Sequence, residues 1–182
     1  GLVPGGGGCL RMVQRWTDPV QDVKEVDLLP LVGQGSLNIA MAKVATGAEE
    51  ARRYRYLLPS DGITLNRDRL LYHAKQRALG LARAGYRPPR PPLLRAAGVD
   101  AAETIAMRVW SMHEGGYATE HDALIAKKVA RILCGGDVLP GTEVSEQHYL
   151  DLEREAFLSL CGEEKTQARM QSLLMTNKPL RN

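Results

Sequence analysis

The sequence predicts a mainly α-helical fold with few or no strands. Three observations predict it. The 182 residues contain a single Phe and few runs of β-branched residues. Apolar side chains recur at intervals of three and four, the spacing of one helix face. Glycines, prolines and capping residues fall at the ends of those periodic segments, where helices start and stop.

The first helix begins in the glycines of GLVPGGGG and runs through Leu10, Met12, Val13 and Trp16. Asp18-Pro19 ends it, because the residue before a proline avoids helical geometry. Gln21 to Pro30 reads as a connector. Gln34 to Val44 reads as a helix of small residues that Gly47 breaks, and Ala48 to Tyr54 as a short charged one. Leu57-Leu58-Pro59 is a single strand or a turn. The clearest pattern runs from Asn66, a good N-cap, to Ala84. Leu70, Leu71, Ala74, Ala78, Leu81 and Ala82 form its apolar stripe, and Gly85 supplies a left-handed stop. Four prolines in Arg87-Pro88-Pro89-Arg90-Pro91-Pro92 then exclude helix and central strand. They make a stiff spacer, or a ligand for an SH3-like domain.

Four more helices follow. Asp100 to Glu114 carries Ile105, Val109 and Met112, with Trp110 on its apolar face. Thr119 opens the next, with Asp122 at the third position as an imperfect capping box, and Ile125, Val129, Ile132 and Leu133 as its buried set. Thr142 or Ser145 starts the third, which holds Leu150, Leu152, Phe157 and Leu160 and stops at Gly162. The last runs from Glu163 to about Met175. The organisation expected is residues 1–86 as one unit, 87–98 as a Pro-rich linker and 99–182 as a helical extension.

Composition narrows the function classes. The hydrophobic share is 44% and the charged share 25%, ordinary for a globular chain. No apolar run approaches the roughly 20 residues of a membrane span, and the first residues lack the basic-then-apolar pattern of a signal peptide. Cys9, Cys134 and Cys161 are odd in number and far apart, so they form neither a disulfide framework nor a CxxC site. A reducing compartment, the cytoplasm, is the expectation. The net charge of +3 is unevenly spread. From Arg52 to Arg95 there are eleven basic residues, ten of them Arg, against Asp61 and Asp68. From Gly141 to Glu164 there are seven acids against Arg154. The basic span could meet a phosphate-bearing ligand, the acidic span of the same chain, or only water.

The glycine run is the strongest chemical candidate. Backbone N–H groups at the positive end of a helix form an anion or oxyanion site; the structural alternative is a tight turn that lets a helix pack closely. The phosphate-loop pattern GxxxxGK[ST] is not satisfied, and GxGxxG lacks its strand and βαβ context. His73, His113, His121 and His148 have no i,i+4 partner and fit surface or cap roles, His121-Asp122 being at a helix start. Cys9 follows the glycines, where a thiolate would gain stability, but no His or Asn suggests a nucleophile. Trp16 fits core packing. Glu153, Arg154 and Glu155, with Lys165, read as solvated or cross-helix pairs.

GLVPGGGG followed by an apolar-basic helix resembles the loop of enoyl-CoA hydratase/isomerase (crotonase-superfamily) enzymes that enters a helix beside the acyl-CoA site. Ala45-Thr46-Gly47-Ala48-Glu49-Glu50-Ala51 with Leu57-Leu58 resembles the element that ends that family's core. Tyr117 to Asp122, Leu133-Cys134-Gly135-Gly136, Asp151 to Phe157 and the ending Asn177-Lys178-Pro179-Leu180-Arg181-Asn182 resemble the C-terminal extension of bacterial multifunctional 3-hydroxyacyl-CoA dehydrogenase/enoyl-CoA hydratases. Together the resemblance covers nearly the whole chain.

The resemblance implies that Gly5 offers a backbone N–H to the catalytic water, with Pro4 and Gly6 lining the substrate. It implies terminal helices that cap the acyl-CoA site and build a homo-oligomer. The family's catalytic Glu residues, its remaining oxyanion donors and its NAD-binding half have no counterpart here. The expectation is therefore a C-terminal piece of a β-oxidation enzyme, inactive alone, with no metal and no cofactor of its own; NAD and acyl-CoA belong to the parent. A membrane partner is not expected, and nucleic acid is disfavoured. The competing expectation is a free-standing helical module that binds phosphate-bearing partners through its Arg span.

Overall fold

The computed structural model describes all 182 residues. Eight helices and one two-stranded ribbon follow in the order α1 (Gly8–Thr17), α2 (Leu29–Ala40), α3 (Ala48–Arg53), α4 (Leu70–Arg83), β1 (Leu93–Arg95), α5 (Val99–Glu114), α6 (Glu120–Leu133), β2 (Glu143–Ser145), α7 (Glu146–Cys161) and α8 (Glu164–Thr176). No helix is long and apolar enough to cross a membrane.

Helix α6 is the centre of the body. It packs against α1, α2, α5 and α7, and Val129, Ile132 and Leu133 are almost fully enclosed. Its start is fixed by a complete capping box. The Asp122 amide donates to Thr119 Oγ1, and the Thr119 amide donates to the Asp122 carboxylate, both at 3.1 Å. Ser145 caps α7 by accepting from the His148 amide. Gly35 lets α2 approach closely, since a Cβ there would lie 3.1 Å from Met12 and 3.2 Å from Leu133.

The ribbon is antiparallel, with Leu94 opposite Val144 and both buried. Just past β1, Gly98 has φ of +83°, and a Cβ there would sit 2.4 Å from the Pro140 nitrogen. Only glycine satisfies both conditions. Arg95, at the end of β1, ties the 20–24 connector to the body. Its side chain donates to the carbonyls of Val20, Gln21, Val23 and Lys24 at 2.7–2.9 Å.

Several expectations shift. Helix α2 starts at Leu29, not Gln34, because Pro30 falls in its first turn, where a missing N–H costs nothing. The Asp27 carboxylate accepts from the Leu29 amide at that start. Leu57-Leu58-Pro59 is a turn, closed by the Leu58 amide donating to Asp61. Asn66 caps a 3-10 turn, Arg67–Arg69, which leads into α4. Trp110 is half exposed rather than core. No ion pair links the basic span to the acidic span.

Two differences are larger. Not one residue of α4 is buried, although its apolar stripe is clear. Residues on both sides of the Pro-rich segment share one hydrophobic core: Val3, Leu10, Val13 and Val32 from before it join Ile105, Ile132 and Leu160 from after it. The segment's last residues, Leu94, Ala96 and Ala97, are themselves buried.

Candidate functional site

The glycine loop folds as a tight turn. Gly6 and Gly7 have φ of +63° and +91°, a region open to glycine and costly for other residues. The turn delivers the first amides of α1 to one point, and a carboxylate occupies it. Glu153 of α7, 2% exposed, accepts from the Gly7 amide with one oxygen and from the Leu10 amide with the other, each at 2.7 Å. The glycine run thus makes the anion site that helix-dipole physics dictates, and the chain fills it with its own anion. Glu153 is not the solvated residue its sequence neighbours suggested.

A signal for this was present. Tyr149, Glu153, Ala156 and Leu160 follow the four-three-four spacing of a buried stripe, and all are buried. An acid on such a stripe calls for donors, and an uncapped glycine-rich helix start is a source of them.

The neighbouring amides are different. Gly5 and Gly6 N–H groups have no partner within the chain, and both residues line a groove of about 560 Å³ with Leu150, Phe157 and Leu158 as apolar walls. Glu153 and Arg154 lie in the same lining. Phe157, expected in the core, is 37% exposed and faces this groove. Pro4 turns the chain into the loop, and its carbonyl accepts from the Cys9 amide at 3.3 Å. Cys9 is fully buried; burial, reinforced by the nearby Glu153 charge, pushes its thiol well above the usual range. Its side chain is sealed from solvent. Cys134 is likewise pushed up to about 12 by burial.

Two of the histidines serve structure. His121 is buried and bonds Thr166 through Nε2 at 2.8 Å, while Thr166 donates to the Gly1 carbonyl. Burial, with Arg169 nearby, lowers its pKa. His148 Nε2 donates to the Gly135 carbonyl. No three His, Cys, Asp or Glu side chains converge where a metal ion would sit. A second cleft, about 770 Å³, is lined by Trp110, His113, His121, four glutamates, Lys127 and Lys165.

These features define a helical body whose glycine loop carries two unpartnered amides beside a groove with apolar walls. Over its whole length the chain is 43% identical, across 186 aligned residues, to a Bacillus subtilis (strain 168) protein named "Probable 3-hydroxyacyl-CoA dehydrogenase". The chain spans 22% of that relative's length. The similarity carries the dehydrogenase half of the resemblance; the hydratase half rests on the loop residues. No protein-family model and no solved structure matches the chain.

Proposed function

We propose that the chain is part of a fatty-acid β-oxidation enzyme of the 3-hydroxyacyl-CoA dehydrogenase/enoyl-CoA hydratase type. In this reading the groove beside Gly5 and Gly6 borders the acyl-CoA site, Pro4 shapes its entrance, and the helices also build a homo-oligomer interface. The observation that carries it is the pair of unpartnered amides at the loop that the resemblance singles out. The similarity of the whole chain to 22% of a probable 3-hydroxyacyl-CoA dehydrogenase supports the enzyme class.

Hydration of an enoyl thioester needs carboxylates to orient and deprotonate water, and N–H donors to hold the enolate oxygen. The chain offers donors at Gly5 and Gly6. Its carboxylate at the loop, Glu153, cannot serve as the base, since both oxygens are held by Gly7 and Leu10. NAD does not fit these residues. There is no parallel sheet, only a two-stranded antiparallel ribbon, and the amides that would meet a pyrophosphate are occupied by Glu153. The chain alone should therefore bind an acyl-CoA without turning it over.

Calorimetry with crotonyl-CoA tests this. Gly5→Ala keeps the N–H, and its Cβ would meet Phe157 at an ordinary 3.7 Å, so it should bind as wild type. Gly5→Pro removes the donor and should weaken binding about 3- to 10-fold, the worth of one hydrogen bond. Equal affinity for both variants would refute the role of Gly5. Hydration of crotonyl-CoA above background by the 182-residue chain would refute the expected inactivity.

A further inference from the structure

A third cavity runs between α2 and α5. Both helices pack on α6, and Ala126 of α6 lines the floor between them. The cavity holds about 310 Å³ and shares no residue with the groove at the glycine loop. Leu29 and Leu37 of α2 face Ile105, Val109 and Met112 of α5 as apolar walls. Arg108 is the one charged side chain in the lining, and Ser36 belongs to the α2 wall.

Three features of this cavity have no counterpart inside the chain. Ser36 is 3% exposed, and its hydroxyl has no hydrogen-bond partner. Thr17, Thr104, Ser111 and Thr176 also stand in helices, and each donates to the carbonyl four residues earlier. Ser36 does not take that outlet, and a buried hydroxyl left idle is costly. Arg108 has no carboxylate partner. Its helical neighbours three and four residues away are Thr104, Ile105, Ser111 and Met112, so its own helix offers no acid. Gly33 lies inside α2, where glycine weakens a helix. Packing explains Gly35, whose Cβ would press on Met12 and Leu133; a Cβ at Gly33 would meet only Arg108 Nη1, at an ordinary 3.6 Å. Gly33 thus keeps space open beside the guanidinium, one turn from Ser36.

We propose that the α2–α5 cavity binds an aliphatic monocarboxylate, with its tail between the apolar walls and its carboxylate at Arg108 and Ser36. An unpaired guanidinium in a lining without acids selects an anion, and a carboxylate accepts from both N–H and O–H donors. The walls select a hydrocarbon tail. The volume lies at the small end of ligand pockets, which suits a chain of medium length. An apolar helix of another protein would cover the walls but leave the buried hydroxyl and the guanidinium without acceptors. The site goes beyond the acyl-CoA reading and does not depend on it.

Calorimetry with octanoate at pH 7 tests the site on the 182-residue chain. Saturable binding is expected, with a dissociation constant below about 10 mM. Arg108→Gln should weaken it at least tenfold, the worth of a hydrogen bond to a charged group, while binding of 1-octanol stays unchanged. Ser36→Ala should weaken octanoate about 3- to 10-fold. It should not lower the melting temperature, because the hydroxyl it removes has no partner in the fold. Gly33→Leu fills the cavity and should abolish binding of both probes while helical circular dichroism is kept. Three outcomes overturn the proposal: no saturable octanoate binding, equal affinity in wild type and Arg108→Gln, or displacement of octanoate by crotonyl-CoA. The first two leave the effect of Gly5→Pro on crotonyl-CoA untouched, so the two sites stand or fall separately.

Discussion

Helices α4 and α7 carry sequence patterns of similar quality and meet opposite fates. In α7 the stripe Tyr149, Leu152, Ala156 and Leu160 is buried against the body. In α4 the stripe Leu70, Ala74, Ala78 and Leu81 faces water. Periodicity tells which side of a helix wants cover; it does not say where the cover comes from. The body finds cover because its connections are short and its helices meet around α6. Helix α4 is held away between an irregular stretch after Tyr54 and the stiff prolines from Pro88 to Pro92. The same apolar signal is therefore a stability feature in one region and an uncovered face in the other.

The largest effect should come from the one charge inside the body. Glu153→Ala removes both acceptors of the Gly7 and Leu10 amides and leaves them buried without partners. Hydrogen bonds to a charged group contribute about 1.5–3 kcal/mol each, so a loss of roughly 3–5 kcal/mol is expected in urea unfolding. Glu153→Gln keeps one acceptor and should lose about half as much. A loss below about 1 kcal/mol for Glu153→Ala would mean that water replaces the carboxylate and that the loop is not sealed.

Next comes Arg95, a cation of the basic span that is tied to the body by four hydrogen bonds. Arg95→Ala frees four carbonyls of the 20–24 connector and should cost about 2–3 kcal/mol. Arg95→Lys should recover little, because a compact ammonium cannot reach around that arc. Faster amide exchange in residues 20–27 would locate the effect. The same substitution at exposed Arg83 should change nothing measurable.

His121 adds a pH dependence to the body. Its pKa is lowered in the folded state, first by burial and then by Arg169, with Lys165 adding to the effect and Glu163 opposing it. The neutral form is the one the fold accepts. Its contribution is therefore complete above the ordinary histidine value near 6.5 and is lost as pH falls through the lower folded value. Asp122 acts in a separate window. Burial would raise it, but Arg169 and the Thr119 amide outweigh burial and lower it, so its contribution fails only below about 3.8. The melting temperature should fall in two stages on acidification. His121→Gln should flatten the first and leave the second.

How much of this the sequence revealed follows from the same contrast. The termini of α5, α6 and α7 were legible because their signals are local: Thr119 with Asp122, Ser145 before an apolar run, Gly115-Gly116 and Gly162 after one. The ribbon was not, because three-residue strands carry no periodicity, and Leu93 to Arg95 follows prolines that suggested a spacer. The shared core across residues 87–98 was hidden for a related reason. A proline run fixes local stiffness and says nothing about whether the chain beyond it returns. At the loop, the glycines pointed to an anion site or a tight turn, and the fold forms the turn around an anion of its own. What fills it lies 143 to 146 residues away in Glu153, and the sequence signals it only through that acid's place on a buried stripe.

The smallest effect is the one that separates the two regions most cleanly. Leu10→Ala in α1 removes a side chain that is 2% exposed and should cost about 2–5 kcal/mol. Leu71→Ser in α4 removes one that is 82% exposed and should change the stability of the dilute monomer by less than about 0.5 kcal/mol. If α4 contributes to the proposed homo-oligomer interface, the substitution acts on association instead. The stability of wild type should then rise with protein concentration while that of Leu71→Ser stays flat. A loss of 2 kcal/mol or more for Leu71→Ser at low concentration would place α4 against the body of its own chain, and the contrast between the two helices would vanish.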